Sequence, residues 1–314
     1  MRYFFLHWHN LFFGIAGKYR LKERVKPLWA LCGVNWKIAD FFFNKCIFRY
    51  GKLNKFPKAK LSGSDELVVS LTTFPARINT VWIVIDSMLR QKTLPSKICL
   101  YLANDEFPDG QNSLPQRLLD YKPYGLEICF RDINLMAHNK YFFALQEYPN
   151  SCVITVDDDM YYNDNLISNL LELHKQYPGT ICSNTIHSID FENDGSYKPY
   201  NNWILRPLWQ KPSHRNIALG YNGVLYPPLQ YAPSMFDVDA IRNTAPKADD
   251  LWLKGSEINQ NIKVANGKYF CTGIEIGGSQ INSLNAGNVI SGQNDQQWLK
   301  VCDFFGINKK TICK

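Results

Sequence analysis

The run "SCVITVDDDMYYND", residues 151–164, carries an apolar strand pattern straight into Asp157, Asp158 and Asp159. Three adjacent carboxylates repel one another, and burial would raise their pKa values by desolvation unless a cation lies among them. A divalent metal meets that condition. In extended backbone, positions 157 and 159 project to one side, so Asp157 and Asp159 can share a ligand while Asp158 points elsewhere. Hard oxygen ligands suit Mg2+ or Mn2+, which keep open positions for water and substrate phosphates. A solvated turn, or a cap by Asn163 or Asp164 on a following helix, is the competing reading of the same residues. A second acidic pair, Asp249–Asp250, follows Pro246 and precedes the apolar "LWL". That is the pattern of a helix N-terminus, where carboxylates are favoured by capping and by the helix dipole.

Carboxylates of this kind need a rigid carrier, and the sequence supplies an alternation of strands and helices. Strand patterns cover 66–73, 97–103, 126–130, 152–156 and 180–184, and helical patterns cover 80–91, 114–122, 139–147 and 164–176. Repeated strand–helix units predict an α/β fold, a mostly parallel sheet flanked by helices. In open α/β sheets the ligand crevice lies outside the carboxyl ends of the strands. The loops there, 72–77, 103–109, 131–140 and 157–164, are polar and charged. Beyond about residue 185 the alternation fades into segments rich in Asn, Gly, Pro, Tyr and Trp, typical of loops that shape a site.

The segments "SLTTFPARI" (70–78), "YLANDEFP" (101–108), "ALQEYPNSCVITVDDDMYY" (144–162), "GVLYPP" (223–228) and "ADDLW" (248–252) resemble successive blocks of a bacterial glycosyltransferase family of capsule and lipopolysaccharide synthesis. The strand followed by aspartates is similar to the Asp-x-Asp motif of nucleotide-sugar enzymes with the glycosyltransferase A fold. The resemblance spans about residues 65–300 and leaves out the first 60. It implies a glycosyltransferase A-like sheet, a nucleotide diphosphate-sugar donor with Mn2+ or Mg2+, and a glycan or lipid-linked acceptor. Residue by residue, it implies Asp159 as metal ligand, Asp157 as ribose or metal contact, and Asp158 as a further donor contact. Thr72, Thr73 and Arg77 would meet the nucleotide. Asp132 and Lys140 would approach base or phosphate, although this chain carries about two more residues between them than the family pattern. Asp250, with Asp249 beside it, would remove the proton of the attacking hydroxyl. No carboxylate is evidently placed as a covalent nucleophile, so inversion is expected.

Two other functions use similar residues: metal-dependent nucleotidyl or phosphoryl transfer, which also employs clustered aspartates, and non-catalytic carbohydrate binding. In "LGYNGVLYPP", Gly220 and Gly223 would admit close approach of a sugar or phosphate, and Tyr221 and Tyr226 could stack on it. Trp203 and Trp209 read as core or rim aromatics, Asn294 and Asp295 as a helix cap, and His187 and His214 as surface or packing residues.

Charge is divided unevenly. Residues 1–60 hold 13 Lys and Arg against Glu23 and Asp40, whereas residues 61–314 hold 22 basic and 26 acidic groups. This predicts a basic, aromatic-rich helical appendage with a linker over 1–60 and a catalytic domain over 61–314. The apolar run of the appendage, broken by His7, His9 and Asn10, is too short to span a bilayer. Aromatic and basic residues interleaved through 36–52 suit an amphipathic element on an anionic membrane surface, or a helical pair packed on the domain. No nucleic-acid reader motif accompanies the charge, so nucleic acid is not expected. Nine cysteines without a C-x-x-C pair argue for reduced thiols and a cytoplasmic protein, peripheral on the inner membrane face if the appendage binds lipid.

Overall fold

The computed structural model of the protein describes residues 2–18, 21–51, 61–205, 211–267, 273–277 and 292–314. Trp209 and most of the expected linker lie outside the described residues.

A seven-stranded sheet runs in the order β11 (Val264–Asn266), β6 (Ile181–Ser183), β10 (Val224–Tyr226), β4 (Cys152–Thr155), β1 (Leu67–Thr72), β2 (Lys97–Ala103), β3 (Leu126–Arg131). Its pairings are parallel except at β10, which runs antiparallel to both β4 and β6. In the centre Ser70 lies opposite Cys99 on one side and Thr155 on the other. The fold is therefore mixed α/β with a mostly parallel sheet, as the strand–helix alternation predicts.

β1 and β2 are buried along nearly their whole length, which is why "LVVSLT" and "KICLYLA" read as apolar runs. Alternate residues serve opposite faces. Val69 and Leu71 pack with α4 (Val81–Met88) and α7 (Leu166–Gln176). Val68 packs on the other face with α6 (Asn139–Glu147) and α9 (Asp249–Asn259). Outside α9 lies α10 (Gln293–Phe305); a Cβ on Gly255 would collide with Val301, so the glycine permits this close crossing. The short helices α5 (Gln116–Leu119) and α8 (Val238–Thr244) complete the covering layers. A ribbon of β5 (Met160–Tyr161) and β12 (Ile274–Glu275) flanks the aspartate loop, and a small sheet of β8 (Ile204–Leu205), β7 (Ile186–Ser188) and β9 (Asn216–Ala218) fills the later part of the chain.

The N-terminal segment forms α1 (Arg2–Lys18), α2 (Leu21–Arg24) and α3 (Lys26–Gly51). Leu6, Phe43 and Ile47 enter the same core as α4 and α7, so the appendage is seated on the body. Among the described residues no helix is long and apolar enough to cross a membrane, and the cysteines are free thiols.

Burial and tertiary partners decide several local readings. The helix after the aspartates begins behind Asn165, so neither Asn163 nor Asp164 caps it; Asp164 faces Lys92 at 3.4 Å instead. α10 begins behind Gly292, and Asp295 is spent on the backbone amide of Tyr200 at 2.6 Å rather than on a cap. Tyr226 is buried in the core and cannot be a stacking platform. Gly223 has φ of 79° and a Cβ there would press on Leu166, so it serves the turn. Trp203 is buried against Trp298, as a core aromatic should be. His187 and His214 are packing residues; burial takes the His187 pKa down to about 4.

Candidate active site

Because β1 to β4 are mutually parallel, their carboxyl ends share one edge of the sheet, and side chains tie the four loops together there. The loops after β2 and β3 meet where Asn104 Nδ2 donates to Asp132 at 2.6 Å and Asn134 Nδ2 to Asp105 at 3.2 Å. The loops after β1 and β4 meet where Thr73 Oγ1 donates to Asp158 Oδ2 and Arg77 Nη1 to Asp158 Oδ1, each at 2.5 Å. Arg77 also lies 3.2 Å from Asp159 Oδ2.

Asp158 thus accepts from a buried pair of donors, and shares the Arg77 guanidinium with Asp159. Burial raises its pKa, opposed by Arg77 and the Thr73 hydroxyl. Asp157 and Asp159 keep 29% and 15% of their side-chain surface open, against 8% for Asp158. Each of these two meets a side-chain cation of its own, Asp157 the Lys140 ammonium and Asp159 the Arg77 guanidinium. Among the described residues no group of three or more His, Cys, Asp or Glu side chains is arranged to hold a metal ion. Thr72, by contrast, turns back into the sheet, donating to the carbonyl of Tyr101 at 2.9 Å.

The second acidic pair arrives from the other direction. Asp249 and Asp250 open α9, as the "PKADDLWL" pattern predicts, and neither makes an N-cap hydrogen bond from the preceding position, which is Ala248. Lys140, in the first turn of α6, spans both acidic sites. Its Nζ lies 2.6 Å from Asp157 Oδ1 and 2.9 Å from Asp249 Oδ2. Just before it the chain makes a 3-10 turn at 136–138, entered through Met136 at φ 55°. Asp132 stays apart from this pair, on its exposed contact with Asn104.

Burial would lower the Lys140 pKa, but Asp157, Asp249 and Asp250 together hold it well above the ordinary lysine value. Burial would raise Asp249; Lys140 overcomes it and keeps that carboxyl below its usual range. Asp250 moves the other way. Burial, with Asp249 and Asp157 close by, pushes it well above the ordinary carboxyl value. Asp250 nonetheless keeps part of its surface open, while Asp249 is buried.

Two further residues complete the wall, neither of them singled out by sequence in these roles. His138 is fully enclosed, and its Nε2 lies 2.8 Å from the carbonyl of Ala245, which can only accept. The proton is therefore on Nε2, and Nδ1 accepts from the Tyr141 hydroxyl at 3.0 Å. Burial lowers its pKa, so it is a neutral brace beneath Asp249. Gly220 donates its amide to Asp250 Oδ1 at 3.2 Å. A Cβ there would meet Lys140 Nζ at 2.9 Å and Asp157 Oδ1 at 3.2 Å, so backbone passes directly over the charges.

No protein-family model matches the chain, and neither does any curated protein. Among solved structures it is similar to TarS residues 1–349 from S. aureus, at 12% identity and a TM-score of 0.39 over 64% of this chain and 57% of that one. It is similar to the mannosyltransferase PcManGT from Pyrobaculum calidifontis in complex with GDP-Man and Mn2+, at 12% identity and a TM-score of 0.46 over 85% of this chain and 74% of that one. A third is the 4-diphosphocytidyl-2C-methyl-D-erythritol synthase of Anaerococcus prevotii, at 12% identity and a TM-score of 0.40 over 67% of this chain and 93% of that one. The chain thus spans just over half the length of the TarS fragment.

Proposed function

We propose that the protein is a metal-dependent glycosyltransferase of the glycosyltransferase A type, moving a sugar from a nucleotide diphosphate-sugar to a glycan or lipid-linked acceptor with inversion, in bacterial surface polysaccharide synthesis. The observation that carries this reading is the position of Lys140 between Asp157 and Asp249, which brings the strand-end aspartates and the helix-start carboxylates to one place.

In this reading Asp157 and Asp159 would hold Mn2+ or Mg2+, which when bound supplies charge to neutralise the departing diphosphate. Arg77, 3.2 Å from Asp159, adds a fixed positive charge on the donor side. Thr73 and Arg77 act through Asp158, locking the loop on which Asp157 and Asp159 sit. Asp250 in its ionised form takes the proton of the acceptor hydroxyl as that oxygen bonds to the anomeric carbon, and the bond from that carbon to the diphosphate oxygen breaks. A carboxyl whose pKa is raised is a stronger base once ionised, which suits Asp250 better than Asp249. The Gly220 amide holds it in place.

A panel of nucleotide diphosphate-sugars with Mn2+ tests the assignment, with nucleoside diphosphate release as the readout. Asp250→Asn should lower transfer by about 100-fold to 10,000-fold yet keep metal-dependent nucleotide binding. Asp159→Asn should lose both, whereas Asp158→Asn should keep metal-dependent binding and lose stability by about 1–3 kcal/mol, since Thr73 and Arg77 lose a buried charged partner. Consumption of a nucleoside triphosphate with release of pyrophosphate would move the assignment to nucleotidyl transfer.

A further inference from the structure

The hairpin of α1 and α3 carries apolar surface that the core does not use. Leu31, Val34, Ile38 and Phe41 follow spacings of three, four and three residues, which puts them on one face of α3, and all four are exposed, Leu31 by 58%. The strip continues through ring contacts from Phe41 to Phe42 and from Phe42 to Phe5, and Phe5 in turn touches Phe4, which is 63% exposed. A run of large apolar side chains on the outside of a helix calls for a partner.

Charge identifies which partner. Residues 1–60 hold 13 basic groups and two acidic ones. Lys22, Arg24, Lys26, Lys37 and Lys45 are exposed on the hairpin, whereas Asp40 is engaged by His9 at 2.5 Å. The Lys45 ammonium sits 4.3 Å from the centre of the Phe41 ring, a cation at the border of the apolar strip. A second copy of the chain would bring the same cations against themselves. Anionic headgroups over acyl chains answer both features, and the strip is too short and too interrupted to cross a bilayer.

We infer that this face is an interfacial docking surface for anionic lipid bilayers, with the α3 strip inserted among the acyl chains and the flanking lysines and arginines on the headgroups. The docked hairpin is bound to the site. The Phe43 ring lies 4.8 Å from that of Tyr161, Asn44 Nδ2 donates to the Glu275 carbonyl at 3.0 Å, and the Gly277 amide donates to Asn44 Oδ1 at 2.7 Å. One residue away, the Ile276 amide donates to the carbonyl of Asp159 at 2.8 Å. Docking stands independently of the transfer reaction, because lipid binding needs no donor.

The test is flotation of the full chain with vesicles of phosphatidylcholine alone or with phosphatidylglycerol added. Removing residues 1–60 is a poor control, since Leu6, Phe43 and Ile47 belong to the main core. The informative variants are Leu31→Glu with Phe41→Glu, and Lys37→Glu with Lys45→Glu, each checked for an unchanged thermal melt. Binding to the anionic vesicles should be at least tenfold tighter than to the neutral ones. Either double variant should weaken it at least tenfold, and the lysine variant should also flatten its salt dependence. Equal partitioning to both vesicles, or none, overturns the inference. So does light scattering that shows a dimer split by the Leu31→Glu, Phe41→Glu pair. Docking with no donor consumed would leave the inference standing and remove the transferase reading.

Discussion

The amide of Gly220 donates to Oδ1 of Asp250 at 3.2 Å, and the space a side chain would need at position 220 is taken by Lys140 and Asp157. The lysine ammonium is the far end of a flexible chain, but here it is pinned between two carboxylates and cannot retreat without breaking a pair. Gly220→Ala should therefore disturb the charges more than the fold. A displacement of about 1 Å at a reacting group costs on the order of 100-fold in rate. The expected outcome is a loss of that size in kcat with a small change in Tm, measured by donor turnover and by thermal melting of the same samples.

A second expectation concerns pH. A base works when ionised, and Asp250 holds its proton to higher pH than an ordinary carboxyl because of its burial and of Asp249 and Asp157. Raising the pH removes that proton, so kcat/KM should rise tenfold per pH unit along a limb lying above the ordinary aspartate value of about 3.9. Asp250→Asn should remove the limb and lower the rate by about 100-fold to 10,000-fold. Asp249→Asn should move the limb to lower pH, because a neighbouring negative charge is lost. A limb that stays in place in Asp250→Asn would assign the base to another group.

The sheet was largely legible in the sequence, because strands buried on both faces must be apolar throughout and are separated by helical patterns. The helix start at Asp249 was legible for a similar local reason. What was hidden is the pairing of side chains remote in sequence. Nothing near Asp158 announces that Thr73 and Arg77 will claim it, and nothing near Thr72 announces that its hydroxyl turns inward. The cap read at Asn294 and Asp295 failed the same way, since Asp295 found a tertiary partner. Lys140 had been placed only by resemblance, and no local pattern announces the 3-10 turn at 136–138 that precedes it. His138 lay two residues before it without a signal, because a buried neutral histidine has no distinguishing spacing.

The last expectation separates charge from packing at Lys140. Substituting methionine keeps much of the volume but removes the ammonium from Asp157 and Asp249. Breaking a buried pair in this way costs about 3–5 kcal/mol, because an uncompensated charge is left behind. The cost depends on pH with a definite sign. Lys140 has a raised folded pKa, so its contribution is complete below the unfolded value of about 10.4 and is lost only as pH rises through the folded one. Asp249 has a depressed folded pKa, so its share is present above the unfolded value of about 3.9 and is lost as pH falls through the folded one. In Lys140→Met the surviving carboxylates can relieve their repulsion by binding protons. The destabilisation measured in urea should thus be largest near pH 8 and shrink towards pH 5. An equal loss at both would make Lys140 a packing residue, and the link between the two acidic sites would have to be sought in other contacts.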